Sequence, residues 1–464
     1  MIFNSYIFLF AFLPITYAVF WLLRSARHRY VWLTVTGYFF YGWWDPRFCL
    51  LMLFSTCVSY FAGLGFHRTE NPQKRRLLLI APVCVDLMVL GIFKYLGFTL
   101  ESLEVAMNWI GIQVDFSWGQ LTLPVGISFY TFHTISYIVD CYRKDVQPTR
   151  NFFEFAAYVS LFSQLVAGPI VRFQQLEEDL EGLESAVRVR WLSQGLSLLL
   201  TGLVEKTVIA DTLATFVNAS LAEYEKLSTF GAWMAMLGYT MQLYFDFSGY
   251  STMAMGLGLL FGLRIPQNFN SPYQALNPSD FWKRWHISLS TCMRDYIYIP
   301  MGGGRVAAIF VYRNLMLTML IGGLWHGANW TFIYWGAWHG ACLCFYRLTR
   351  GLWNKLPVLL QKILTFFMVV VGWVLFRSPD LSTAASIYRK MFILAPGELP
   401  DQALPFFSII AVATLWSTFG RNSIEMHDRD TGWNYSLYTG AFVLGIVLAY
   451  ISSWQNSPFL YFQF

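Results

Sequence analysis

The sequence is short of charged residues. Of its 464 residues, 13% are charged and 56% are hydrophobic, whereas roughly a quarter of the residues in ordinary soluble domains are charged. That shortage excludes a soluble globular protein of this length. Long apolar runs are present instead, and those over residues 7–23 and 48–66 are close to the roughly 20 residues that a helix needs to cross a bilayer. The composition therefore predicts a polytopic membrane protein.

Several motifs of soluble enzymes and nucleic-acid-binding proteins are missing. The seven cysteines include no C-x-x-C pair, so neither a disulfide framework nor a metal site is indicated. The sequence has no G-x-S-x-G elbow and no Walker loop, which argues against a serine hydrolase and a P-loop nucleotidase. The net charge of +5 is scattered, and no basic stretch is interleaved with aromatic residues, so nucleic acid is excluded as a partner.

The apolar segments predict an all-α fold with roughly 11–14 membrane helices, some of them re-entrant or half-spanning because they are shorter than a full crossing. Segments are predicted over residues 7–23, 48–66, 77–100, 121–139, 152–170, 196–217, 229–247, 250–263, 306–324, 329–348, 359–376, 404–419 and 437–451. The sequence shows no internal repeat and no long linker. We therefore expect a single membrane domain.

Basic residues follow alternate apolar runs. Arg24, Arg27 and Arg29 come after the first span. The short turn at residues 45–47 follows the second span, and Arg68 and residues 74–76 follow the third, which covers residues 48–66. Because basic loops stay in the cytoplasm, the N-terminus is predicted to lie outside and the first and third loops inside. The basic residues follow the first run rather than precede it, which favours a retained helix over a cleaved signal peptide.

Polar and ionisable residues concentrate in apolar surroundings over residues 242–340. Such residues are costly inside a membrane, so each one is a candidate for a functional site. The stretch contains the motifs YFDFSGY at 244–250, PQNF at 266–269, FWKRWHISLS at 281–290, RDY at 294–296 and GGLWHG at 322–327. His326 lies in the last motif, between glycines that allow a ligand or a helix to come close. A buried neutral imidazole there can accept a hydroxyl proton, although an isolated intramembrane histidine is more often structural.

His286 belongs to a predicted amphipathic helix over residues 280–298. The preceding residues 277–280, with sequence NPSD, supply good N-capping side chains. Helical spacing predicts Trp282, His286, Ser290 and Met293 near one face and Lys283, Arg284 and Ser288 elsewhere. An interfacial helix would explain this segment as a whole. His286 shares its face with an aromatic residue rather than with the charges, and so it remains a candidate.

The remaining histidines are predicted to be structural or solvated. His339 follows His326 by 13 residues, a separation that places it neither on the same helix face nor close along the axis. We expect His339 and His133 to be structural. His28, His67 and His427 lie in charged loops and are predicted to be solvated.

The chain resembles the membrane-bound O-acyltransferase family, in particular its bacterial branch of alginate O-acetyltransferases and the relatives acting on cellulose, peptidoglycan and teichoic acid. The resemblance rests on the motifs at 244–250, 281–296 and 322–327, and on Trp335 to Gly340. Further support comes from PVGISFY at 124–130 and AGP at 167–169. The similarity extends from the N-terminus to about residue 376.

The resemblance implies a compact helical fold around a tunnel and an enzyme, an O-acetyltransferase of the bacterial inner membrane. An acetyl group would pass from a cytoplasmic thioester, acetyl-CoA or an acyl carrier protein, to a polysaccharide-modifying acetyltransferase partner outside. No bound cofactor is expected. Alginate is the first choice of polymer, with cellulose and peptidoglycan as alternatives. From another class, a proton-coupled transporter or channel whose histidines relay protons stays open as an alternative.

The resemblance also assigns residues. The family's invariant histidine falls on His326 and its second polar position on His286, and these are the expected catalytic residues. His326 would deprotonate the acceptor hydroxyl or carry the acyl group briefly. The residues expected to bind substrate are Trp282, Trp285, Asp295, Asn329, Asp246 and Tyr244. Residues 1–120 would form N-terminal spans, 121–376 the catalytic core and 377–464 the C-terminal spans.

Overall fold

The protein is helical throughout the part of the chain that a computed structural model describes. That part comprises residues 1–116, 121–166, 168–185, 188–400, 402–427, 440, 443–446, 448 and 460. Of the described residues, 78% are helical. Within the described residues no extended strand forms, and Leu227 and Glu398 make one isolated bridge.

The first of two compact units consists of Met1–Leu192 and Leu257–Pro266. Its helices are α1 (Leu13–Leu22), α2 (Ala26–Gly42), α3 (Arg47–Arg68), α4 (Pro72–Leu90), α5 (Leu96–Trp109), α6 (Ile127–Arg143), α7 (Phe152–Ser160), α8 (Phe162–Leu165) and α9 (Phe173–Glu181). Two π-helical segments, Phe8–Phe12 and Gly91–Tyr95, continue directly into α1 and α5. The polar centre of this unit is Asp86, which accepts hydrogen bonds of 2.7 Å from the hydroxyls of Ser55 and Thr134.

The second unit consists of Ser193–Gly256 and Gln267–Phe464. The helices of this part of the chain are α10 (Arg188–Leu203), α11 (Asp211–Ala222), α12 (Thr229–Leu260), α13 (Pro278–Arg284), α14 (Ile287–Met293), α15 (Ala308–His326), α16 (Trp330–Trp353), α17 (Val358–Arg377), α18 (Leu381–Phe392), α19 (Ala403–Phe419) and α20 (Ser423–His427). A π-helical segment, Val204–Ala210, joins α10 to α11, and another, Arg294–Tyr298, follows α14.

Several helices of the second unit begin at a polar capping side chain. Asn277 accepts a hydrogen bond from the Asp280 backbone N–H at 2.8 Å and is followed by Pro278, whose fixed φ suits the first turn. Asn329 caps α16 and Asp380 caps α18 in the same way. The loops before these helices therefore set where each one starts.

In the part of the chain that the structure describes, four helical stretches are long and apolar enough to cross a membrane: Arg47–Arg68, Pro72–Trp109, Ala308–His326 and Val358–Arg377. Phe8–Leu22 and Ala403–Phe419 are apolar but shorter. These helices confirm the predicted all-α, multi-pass membrane protein. The predicted tunnel and the domain boundaries at residues 120 and 376 stay predictions.

Some predicted segments differ from the helices that form. Residues 229–247 and 250–263 were expected as two segments, but one 32-residue helix, α12, runs from Thr229 through Ser248 and Gly249 to Leu260. The segment expected from residue 121 begins at Ile127, after Gly126 in the left-handed conformation at φ 74°. Most of the predicted segment 437–451 lies outside the described residues.

Candidate active site

The predicted helix over residues 280–298 is interrupted at its centre. Helix α13 ends at Arg284, and α14 starts at Ile287. Between them His286 adopts the left-handed conformation, with φ 44° and ψ 54°, which residues other than glycine rarely adopt. The prediction of one continuous helix was therefore wrong, and the helical-face pattern derived from it does not hold past Arg284.

Asn268 holds this interruption in place. Its backbone carbonyl accepts a hydrogen bond from the Ile287 N–H at 2.9 Å. Its side-chain Oδ1 accepts from the Ser288 backbone N–H at 3.2 Å and from the Ser288 hydroxyl at 2.9 Å, and it lies 3.2 Å from Nδ1 of His286. Its Nδ2 donates to the Ser251 hydroxyl at 3.2 Å. One buried amide thus connects α12, the segment after it and the start of α14.

The His286 ring is fully buried among aromatic rings. Its centroid lies 4.7 Å from that of Phe247, at an interplanar angle of 88°, and 6.0 Å from that of Trp325. The ring of His326 lies 6.4 Å away. Burial in this loop, which lies between two seven-residue helices, lowers the pKa of His286 to about 3. The imidazole is therefore neutral at physiological pH.

His326 is the last residue of α15, and close contact between α15 and α16 places it. A side chain at Gly323 would overlap the carbonyl oxygen of Phe332, and one at Gly336 would overlap that of Met319, so the two backbones touch. The buried imidazole of His326 meets Trp335 edge-on, at 5.0 Å and 87°, and Phe376 at 5.2 Å and 74°. These contacts hold the ring in one orientation.

A cavity of about 340 Å³ opens beside His326, within the size range of small-ligand sites. It is lined by Ser279, Trp282, Lys283, Ile287, Leu289, Ser290, Thr291, Met293, Arg294, Tyr298, Leu315, Thr318, Met319, Gly322, His326, Trp335 and Leu343. His326 and Trp335 are buried, whereas Lys283 and Arg294 are exposed. The cavity is therefore mostly apolar and carries two cations.

Lys283 was predicted to lie away from the aromatic face, and that prediction was wrong. The interruption at His286 changes the direction of the chain, so Ser290 and Met293 after it line the same cavity as Trp282 and Lys283 of α13. Within the described part of the chain, no carboxylate pairs with Lys283. Its ammonium group is thus available to an anionic ligand.

Of the two tryptophans expected to bind substrate, one lines the cavity. Trp282 meets the Trp335 ring at 5.7 Å and 75°. Trp285 is buried outside the lining, where it stacks on Phe281 at 5.6 Å and packs against Trp373 at 5.0 Å. The geometry is therefore compatible with direct substrate contact for Trp282 and with a supporting position for Trp285.

Asp295 and Asn329 also lie outside the cavity lining. Asp295 accepts a 2.6 Å hydrogen bond from the guanidinium of Arg294, which does line the cavity. Asn329 accepts from the Thr331 backbone N–H at 2.9 Å and donates to the Pro379 carbonyl at 2.8 Å. Asp295 thus neutralises part of the charge on Arg294, and Asn329 joins the ends of two helices. Their expected role in substrate binding stays a prediction.

Asp246 and Tyr244 lie on α12, away from the His326 cavity lining. Asp246 accepts a 2.5 Å hydrogen bond from Nζ of Lys206, and that ammonium also donates to Asp211 at 2.7 Å. Tyr244 lines a second, water-sized cavity with Glu205, Asn268 and other residues. Asp246 is therefore part of a buried ion cluster, and binding of substrate by either residue stays a prediction.

The histidines expected to be structural have apolar surroundings. His339 packs between Trp282 at 5.1 Å and Trp335 at 4.9 Å, behind the cavity wall. His133 belongs to the first unit, where its ring lies 5.5 Å from that of Tyr158. Both are buried, and the structural role expected for them stays a prediction.

Sequence reasoning did not select three residues that shape the site: Asn268, Trp335 and Phe376. Asn268 stood in the PQNF motif, and an amide inside an apolar run was a usable signal. Trp335 lay in a motif of the resemblance but was not assigned to the site. Phe376 is one of many phenylalanines in apolar helices, and no local signal distinguished it.

The site thus places a buried imidazole in the wall of an apolar cavity at the end of a membrane helix, and an imidazole is a group that can accept a proton from a hydroxyl. The model of the membrane-bound O-acyltransferase family matches residues 144–377, which is half of the chain. The chain belongs to the membrane-bound O-acyltransferase family.

Several curated relatives cover the whole chain or most of it. A probable alginate O-acetylase of Pseudomonas putida is 41% identical over 100% of both chains. The probable alginate O-acetylase of Pseudomonas aeruginosa is 44% identical over 89% of this chain and 79% of its own length. A peptidoglycan O-acetyltransferase of Helicobacter pylori is 34% identical over 100% of this chain and 98% of its own length. These relatives confirm the predicted family and the prediction of an acyltransferase enzyme.

Proposed function

We propose that this protein takes an acetyl group from a cytoplasmic thioester and passes it across the bacterial inner membrane for O-acetylation of an exopolysaccharide. The observation that carries the proposal is the imidazole of His326 in the wall of the 340 Å³ cavity. A polysaccharide acetyltransferase on the outer side would receive the acetyl group. The 41% sequence identity to a probable alginate O-acetylase, over the full length of both chains, supports this assignment.

The chemistry follows from one proton acceptor beside an apolar cavity. The oxygen of the acceptor hydroxyl attacks the thioester carbonyl carbon while His326 takes the hydroxyl proton. The new C–O bond forms, the C–S bond breaks, and the proton passes from His326 to the leaving thiolate. The rings of Trp335 and Phe376 pack against His326, and a bound donor that fills the cavity would limit the access of water to the thioester.

Acetyl-CoA is the donor that fits the charged residues best. The cavity carries Lys283 and Arg294 on its exposed side and His326 on its buried side, which suits a molecule with phosphates at one end and an acyl thioester at the other. An acyl carrier protein would present a single phosphodiester on its pantetheine arm. Labelled acetyl-CoA supplied to purified membranes that contain the active protein distinguishes the two donors, because transfer of label requires the free donor to be used.

Replacing Lys283 by alanine is expected to raise the KM for acetyl-CoA about tenfold, or about 1.4 kcal/mol, because the donor phosphate loses an ion pair. The kcat is expected to change little, since Lys283 lies on the exposed side of the cavity. Initial rates at varied acetyl-CoA in purified membranes measure both constants. Lys355→Ala, which removes an exposed lysine outside the cavity lining, is the matched control. Equal KM values in the two variants would reject phosphate binding by Lys283.

Alginate is the polymer that we propose first, with peptidoglycan as a second candidate because the Helicobacter pylori relative covers the whole chain. Cellulose is a further alternative. Mass spectrometry of the secreted polymer and of the cell wall, from the parent strain and from a strain that lacks this protein, is the deciding experiment. We expect loss of O-acetyl groups from the exopolysaccharide. Loss from peptidoglycan alone would replace the first candidate by the second, and unchanged acetylation of every polymer would reject the proposed function.

A further inference from the structure

The amide of Asn268 has a defined orientation. The backbone N–H of Ser288 can only donate, so the Asn268 atom that faces it at 3.2 Å must be the oxygen, Oδ1. The Ser251 hydroxyl then accepts from Nδ2 on the other side of the amide. The positions of the oxygen and nitrogen atoms of this amide are therefore assigned from the hydrogen-bonding groups around it.

This orientation determines the tautomer of His286. Oδ1 of Asn268 is an acceptor and lies 3.2 Å from Nδ1 of His286, so Nδ1 must carry the proton. In the neutral ring, Nε2 then holds the lone pair. Asn268 also holds His286 in its left-handed backbone conformation, because its carbonyl oxygen accepts from the Ile287 N–H and its Oδ1 accepts from the Ser288 N–H.

We infer that Asn268 is a positioning residue that holds the buried, neutral ring of His286 in the tautomer protonated on Nδ1, beside the reacting His326. This inference rests on the proposed function, in which His326 becomes positively charged as it takes the hydroxyl proton. The His286 ring centroid lies 6.4 Å from that of His326. A neutral His286 does not oppose the developing charge, whereas a protonated one would repel it.

The described contacts of the His286 ring come from several elements. From α15 it faces Trp325 and the titratable His326, and from α12 it faces Phe247. The ionisable residues flanking this part of α12 have their own partners: Asp246 pairs with Lys206, and Glu205 accepts from Ser248. From the segment after α12 it faces Asn268 and Phe269, and from α14 Ser288. A carboxylate in place of the Asn268 amide would therefore put a negative charge directly against Nδ1 of His286.

Asn268→Asp provides a nearly isosteric test, because aspartate keeps the accepting oxygen and adds a negative charge. The carboxylate is expected to raise the pKa of His286, so that His286 is protonated at neutral pH. Activity is then lost as the pH falls through the raised pKa. We expect the acid limb of the pH–rate profile to move at least about one pH unit upwards and the rate at pH 7 to fall about 10- to 100-fold, with recovery at higher pH.

Asn270→Asp is the matched control, since it makes the same change two residues further on, where the side chain bonds Asn422 at 3.1 Å instead of His286. Its pH–rate profile is expected to match that of the unmodified protein. Identical profiles for Asn268→Asp and the unmodified protein would overturn the inference. A merely structural Asn268 would lower the rate at every pH without moving the limb.

A measurement on the unmodified protein keeps the inference testable if Asn268→Asp fails to accumulate. Solid-state ¹⁵N NMR of histidine-labelled protein in membranes, with His286→Gln to assign the signals, reports which ring nitrogen is protonated. We expect Nδ1 protonated and Nε2 unprotonated, and the reverse pattern would overturn the inference. Failure of the proposed function is distinct, because the unmodified protein would then acetylate no polymer whichever tautomer the NMR reports.

Discussion

Replacing His326 by alanine is expected to lower O-acetylation of the secreted polymer by about a thousandfold, within the 10²- to 10⁴-fold range typical for loss of a general base, while the protein still accumulates in the membrane. The imidazole lines the cavity, and no other histidine does so among the described residues. Without it, the described lining of the cavity contains no imidazole that could take the proton of the acceptor hydroxyl. Mass spectrometry of the polymer gives the acetyl content, and immunoblotting of membranes gives the amount of protein.

His339→Ala is the matched control for this result. His339 is also a buried histidine, and it packs against the same tryptophan, Trp335, at 4.9 Å, but it does not line the cavity. Its removal is expected to leave most of the acetylation intact. Normal acetylation in the His326 variant would contradict its assignment as the base, and equal losses in both variants would indicate a packing effect instead of a chemical one.

The membrane helices could be predicted from the sequence because their signal is local. The segment predicted at residues 359–376 forms α17 at Val358–Arg377, and the one at 306–324 forms α15 at Ala308–His326. In both, a run of apolar residues ends at polar or basic ones. The all-α class and the multi-pass topology depend on the same composition, and they were predictable for that reason.

The interruption at His286 could not be predicted in this way. Residues 280–298 have helical spacing throughout, and the left-handed conformation of His286 depends on an amide 18 residues earlier in the chain. Because the prediction assumed one continuous helix, it placed Lys283 away from Trp282, Ser290 and Met293. The motif containing Asp246 was recognised, but its partner Lys206 lies 40 residues earlier, so an ion pair could not be distinguished from a ligand-binding carboxylate.

Removal of the Asp246 carboxylate is expected to destabilise the fold by about 3–5 kcal/mol, the usual result of breaking one partner of a buried ion pair. Its side chain is 3% exposed and that of Lys206 is 4% exposed. Asp246→Ala therefore leaves a buried ammonium group with one of its two carboxylate partners. It also removes the acceptor of the Leu460 backbone N–H, at 3.0 Å. Thermal melting of the purified protein in detergent is the measurement.

Asp211→Asn separates this stability effect from substrate binding. The Asp211 side chain is 10% exposed, and its loss leaves the more buried Asp246 pair intact, so we expect a smaller drop in melting temperature. If Asp246 only stabilises the ion cluster, the Asp246→Ala protein that remains folded is expected to have the same KM for acetyl-CoA as the unmodified protein. A raised KM with unchanged melting would instead show that Asp246 contacts substrate, as the family motif suggested. The two measurements together therefore decide between a carboxylate that holds α12 against the Val204–Ala210 segment and one that binds the donor.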